Sequence, residues 1–129
     1  MTKPRARKPY WVYDRLHGQN YYLCPGFSQE DVAFAVRKNH GIDWSPKNLM
    51  ASASCFEVLS QDGILGIWIW IKEFDKKSPS SLNRLVHECV HAAMFSLSLR
   101  GYSIDPTGDH EILAYKTAFI FEEFWRQLK

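Results

Sequence analysis

The chain has no long hydrophobic run: nothing in its 129 residues approaches the roughly 18 or more uninterrupted apolar positions of a membrane span. The opening MTKPRARKPYW is basic but lacks the apolar stretch of a secretory leader, so a cytoplasmic protein is expected. Cysteine is scarce: Cys24, Cys55 and Cys89 are an odd number with no CxxC spacing. That argues against a disulfide framework and against a thiolate zinc site, and leaves three reduced thiols used as small apolar residues. Internal repeats and low-complexity blocks are also missing, which excludes solenoid and linker architectures. The composition, 46% hydrophobic and 15% aromatic, supplies one compact core, and the length leaves little room for a second.

Charge is unevenly placed. Lys3, Arg5, Arg7 and Lys8 fall within the first eight residues; removing these four from the 16 basic residues leaves 12 against 14 acidic ones. Residues 1–9 therefore read as a basic flexible arm and residues 10–129 as a single domain. A solubilising tail is the preferred role for the arm, with contact to nucleic acid or an acidic partner as the alternative.

Local signals divide the body into elements. YWVYDRLHGQNYYLC carries strand-forming aromatics on both sides of a turn placed at HGQN. Ser28 with Asp31 resembles a capping box for a short helix through VAFAVRKN, closing at Gly41. A loop follows to Leu49. SCFEVL and ILGIWIWIKEF are then two strands joined by SQDG, and Ile67, Ile69 and Ile71 alternate with Trp68, Trp70 and Lys72. Alternation with period two sends isoleucines to one sheet face and tryptophans to the other. Ser78 as cap and Pro79 at the first helical position open a helix over 79–100, stopped by Gly101. After the loop YSIDPTG, DHEILAYKTAFIFEEFWRQLK forms a last, apolar helix through Ile112, Leu113, Tyr115, Ala118, Phe119, Phe124 and Leu128. Strands first and two packed helices last predict an α+β domain.

HECVH, residues 87–91, lies in the middle of the long helix. Steps of about 100° per residue project His87 and His91 from one face, one turn apart, where both can bind one tetrahedral ion. Glu88 is turned about 100° from His87 and is free to act as a base on a water activated by that ion. Cys89 points to another side and reads as a core contact. The competing explanation is two histidines and a glutamate satisfied by hydrogen bonds. The apolar flanks Leu85, Val86, Val90, Ala92 and Ala93 favour a site, because buried polar groups without partners are costly. A third ligand is expected from the next helix: Glu111 is preferred, with His110, Asp109 or no protein ligand as rivals and Asp109 better suited to capping.

HECVH followed by Glu111 and Ala114 resembles the gluzincin pattern of zinc metallopeptidases, HExxH and then ExxA on the following helix. Size and layout are similar to small single-domain metallopeptidase-like proteins encoded by bacteriophages and prophages. The resemblance covers roughly residues 64 to 120. It implies a zincin-like fold, in which a small mixed or mostly antiparallel sheet packs on the HExxH helix and on an antiparallel C-terminal helix. It also implies one Zn2+ held by His87, His91 and Glu111, Glu88 as general base, and a peptide or protein substrate. Many gluzincins have an aspartate four residues after the ligand glutamate; here that position is Tyr115, so the shell orienting the ligands differs.

Three further assignments follow. Tyr102, His110 and Tyr115 are candidates to stabilise the oxyanion, with Tyr115 also read as packed or oriented toward the ligands. The GIWIWIKEF strand is expected to be the edge to which a peptide adds, with Trp68 and Trp70 lining or bordering the cleft; packing beneath the helix is the competing and preferred role for the tryptophans. His17 and His40 are expected to be solvated. The rival functions are a zinc-binding interaction module with weak or no turnover, and a nucleic-acid-associated protease like the SprT-type proteins, for which the basic arm is the only support.

Overall fold

The computed structural model describes residues 7–46, 49, 52–103 and 110–128. Four strands and three helices run in the order β1 (Tyr10–Asp14), β2 (Gln19–Pro25), α1 (Gln29–His40), β3 (Ala53–Ser60), β4 (Gly63–Ile71), α2 (Pro79–Leu99) and α3 (His110–Gln127). The domain is α+β, with one mixed sheet of spatial order β1-β2-β4-β3. β1 and β2 form an antiparallel hairpin and so do β3 and β4, while β2 and β4 run parallel, pairing Tyr22 with Trp68 and Leu23 with Ile69.

The alternation in β4 sorts the two sheet faces as expected. Ile67, Ile69 and Ile71 pack with Leu85, Cys89 and Ala92 of α2 and with Ile120 and Phe124 of α3. Trp68 and Trp70 turn to the opposite face, where Val32, Ala35 and Val36 of α1 cover them. Each fully buried branched side chain contributes about 1.5–3 kcal/mol, so two helical layers hold the sheet from both sides. Helices α2 and α3 are antiparallel: just before α2, Lys76 Nζ donates to the Leu128 carbonyl after α3 at 2.8 Å and lies over the Trp125 ring.

The local signals are realised closely. Ser28 and Asp31 form the capping box of α1, and Gly41 closes the helix in the left-handed region at φ 65. Ser78 caps α2 with Pro79 at its start. Tyr102 N–H donates to Leu97 O and Gly101 N–H to Ser98 O, the paired bonds that end a helix at a glycine. The capping position read for Asp109 lies outside the described residues, as do residues 1–6 of the arm.

Several expectations are corrected. The first hairpin turns at 15–18 rather than at HGQN, because Asp14 Oδ1 accepts from Leu16 N–H and Gln19 already pairs with Asp14. β4 stops at Ile71, since its partner β3 begins at Ala53 and Lys72 N–H makes a last bond to Ser52 O. Arg7, read as part of a flexible arm, is tied down: it donates to Gly26 O at 2.7 Å and its guanidinium lies 4.4 Å over the Phe27 ring. His40 is not solvated, because its Nε2 accepts from Trp68 Nε1 at 2.9 Å and Tyr22 stands edge-on to it. His17 is also enclosed, with its Nδ1 2.5 Å from Lys116 Nζ.

Candidate metal centre

Helix α2 lays its apolar side, Leu85, Cys89, Ala92 and Ala93, on the isoleucine face of the sheet. His87 and His91 stand on an adjoining side and are exposed. Their Nε2 atoms are 3.1 Å apart, with the rings inclined at 71°. Two ligands on a tetrahedral zinc at bonds of about 2.0–2.1 Å have nitrogens roughly 3.3 Å apart. The spacing suits an ion of that kind and is equally that of a hydrogen bond between the two rings. Glu88, between them in sequence, is buried, at 7% exposure. Burial holds its carboxyl above the ordinary value, and the charges of His91 and His87 offset part of the rise. A carboxyl raised in this way is better matched to proton transfer near neutral pH than an exposed one.

The pair opens into a cleft of about 610 Å³ between α2 and β3. Residues 52–56 form one wall; Asn83, Arg84, His87, Glu88, His91 and Phe95 form the other. The 84, 87/88, 91 and 95 positions recur at three- and four-residue spacing, so one helix face supplies that whole wall. Among the described residues β3 is an edge strand of the sheet.

This reverses the strand assignment made from sequence. β4 is interior, paired to β2 on one side and β3 on the other. Trp68 and Trp70, at 0% and 1% exposure, are core of the α1 layer, so they neither border the cleft nor pack beneath α2 as expected. Period two tells which residues share a face; it carries no information on which strand lies at the edge.

The oxyanion candidates are also dispersed. Tyr115 is 71% exposed and lines a separate pocket with Tyr13, Leu16 and Phe119 beside β1, so it neither packs nor orients the imidazoles. Tyr102 sits beyond the C-terminal end of α2 with its ring edge-on to His17. His110 lines a groove between α2 and α3 with Val86 and Val90. Glu111 is exposed in the first turn of α3. Among the described residues no three His, Cys, Asp or Glu side chains are gathered in a metal-holding group, so Glu111 is not brought together with His87 and His91.

Cys89 is buried in the core, as expected, with burial pushing its thiol up to about 12. Cys55 lines the cleft and is pushed well above the usual thiol value, first by burial and then by Glu88. Sequence reasoning missed Arg84, Asn83 and the β3 wall. The i, i+3, i+7 relation of Arg84 to the histidines was the available signal for the first; nothing local marks the third. Among the described residues, no helix is long and apolar enough to cross a membrane. Compared with family models, with curated proteins and with solved structures, the chain finds no match in any of the three.

Proposed function

We propose that this protein is a zincin-like zinc peptidase of the gluzincin kind, hydrolysing peptide bonds in a protein or peptide substrate. The observation that carries the reading is the 3.1 Å approach of His87 Nε2 and His91 Nε2 at the mouth of a cleft whose far wall is the edge strand β3. His87 and His91 would hold the ion, with Glu111 as third ligand. Bound zinc would lower the pKa of water and polarise the peptide carbonyl. Glu88 accepts the proton of the attacking water and returns it to the leaving amine, so the amine departs neutral. The substrate backbone runs along the outer strand β3, which holds the scissile bond over the imidazoles.

Glu111 as third ligand rests on the HExxH and ExxA pattern; the direction in which the two helices turn agrees with it, while its distance from the imidazoles does not. His110 and Val86 line the same interhelical groove. Glu111 is one step of about 100° on from His110, and His87 is one step on from Val86. In an antiparallel pair both steps turn toward the same flank.

The test is bound zinc and peptide hydrolysis, measured together for the native chain and Glu88→Gln. Zinc in both with turnover only in the native chain is the expected result. The scattered positions of Tyr102, His110 and Tyr115, and Glu111 standing apart from the imidazoles, favour a second reading: a zinc-binding interaction module with the same histidines and little turnover. Full zinc in both chains, with no cleavage by either of a broad peptide library, would establish that second function instead.

A further inference from the structure

Arg84 lines the cleft one turn before His87 and is exposed. Glu88 lies four residues on, a spacing at which such residues pair on a helix, yet among the described residues Arg84 forms no ion pair or hydrogen bond. Arg84 and Glu88 are the only Lys, Arg, Asp or Glu side chains among the described residues of the cleft wall. Helical side chains lean toward the helix N-terminus, the imidazoles as well as the guanidinium, so their spacing along the cleft follows the offset of their positions on the helix.

A guanidinium is a planar fork that takes a carboxylate through two parallel hydrogen bonds. Arg84 is five residues back from Cys89, the midpoint of the imidazole pair, or roughly 7–8 Å along the helix axis. An extended peptide advances about 3.3 Å per residue, so a group reached from Arg84 is about two residues from the bond over His87 and His91. We propose that Arg84 is a specificity-determining residue that binds a substrate carboxylate about two residues from the scissile bond, making acidic peptides, or peptides bound by their C-terminus, the substrate class. The bond being cut rests on the peptidase reading; the carboxylate site itself is measurable by binding alone.

The experiment is fluorescence anisotropy with labelled peptides on the zinc-loaded full chain carrying Glu88→Gln, which prevents turnover. Three probes are used: an amidated peptide with an internal Glu, its neutral amidated Gln counterpart, and the neutral peptide with a free C-terminus. At least one carboxylate-bearing probe binds about tenfold or more tighter than the neutral one, as a charge-assisted hydrogen bond predicts. Adding Arg84→Gln erases that preference while leaving neutral-probe affinity and zinc content unchanged, and Arg84→Lys keeps part of it. Preference for the internal Glu assigns the site to a side chain; preference for the free terminus assigns it to the chain end. Equal binding of all three probes, absence of binding to the acidic ones, or equal weakening of all by Arg84→Gln overturns the proposal. If the preference holds while the native chain cleaves none of the peptides, the peptidase reading fails and the carboxylate site stands.

Discussion

Lys116 of α3 and Asp14 at the end of β1, 102 residues apart, form an ion pair with both side chains almost fully buried, at 5% and 6% exposure. The Lys116 ammonium also meets His17 Nδ1 at 2.5 Å, and Arg100 donates to the His17 carbonyl at 2.5 Å and to Ser96 O at 2.8 Å. One polar cluster thus fastens the first hairpin to both C-terminal helices. It fixes α3 at the end of the pair from which Glu111 emerges.

Removing one partner of such a pair leaves the other charge buried. Lys116→Met is expected to cost about 3–5 kcal/mol, read as a lower midpoint in urea unfolding with little change in slope. Lys116→Met combined with Asp14→Leu recovers much of that loss, because no charge is then left in the interior. Additive losses in the double variant contradict a direct pair.

Acid weakens the same cluster in two stages. Burial and the Lys116 charge hold His17 below its ordinary value of 6.5, so below that pH the unfolded chain takes up a proton that the fold resists, and stability falls. Burial holds His40 down as well, with the same sign. For Asp14, burial pushes up, but the Lys116 hydrogen bond and charge and the Leu16 amide outweigh it, leaving the carboxyl below its ordinary 3.8. Its contribution is complete above that value and is lost as pH falls through the folded one. Urea midpoints between about pH 5 and 7 should therefore rise with pH, and His17→Gln should flatten that slope. An unchanged slope would show that His17 titrates alike in both states.

Gly66 in β4 has Tyr22 Cε2 only 2.7 Å from where a Cβ would stand. Tyr22 is itself stacked on Trp68, with ring centroids 4.3 Å apart. Gly66→Ala has to displace that stack, and a loss of about 1–3 kcal/mol is expected in thermal or urea unfolding. The proposed zinc binding at His87 and His91, on the other side of the sheet, should be unaffected.

The third ligand is separable by metal analysis. On the proposed zinc reading, Glu111→Ala is expected to lower zinc affinity by at least about tenfold, as loss of a ligand or its support does, and His110→Ala to leave it unchanged. His87→Ala and His91→Ala are each expected to abolish stoichiometric zinc binding. If His110→Ala releases the ion and Glu111→Ala does not, the ligand assignment moves one residue along α3.

What the amino-acid order determined by itself is whatever near neighbours encode. The Ser28–Asp31 box, the Ser78–Pro79 helix start, the glycine stops and the isoleucine–tryptophan alternation all act over a few residues, and each is present where the pattern puts it. The same holds for His87 and His91, whose convergence needs only one turn of helix. Tertiary structure decided the rest. Interior placement of β4 follows from its parallel pairing with β2 across more than 40 residues, which leaves β3 as the cleft wall and commits Trp68 and Trp70 to the core. Of the neighbours Tyr115 and Lys116 in α3, the lysine is buried and the tyrosine exposed, the reverse of their hydropathy, because Asp14 waits opposite one and solvent opposite the other. Side-chain type predicts burial only on average; the partner across the interface settles it, and that partner is far away in the chain.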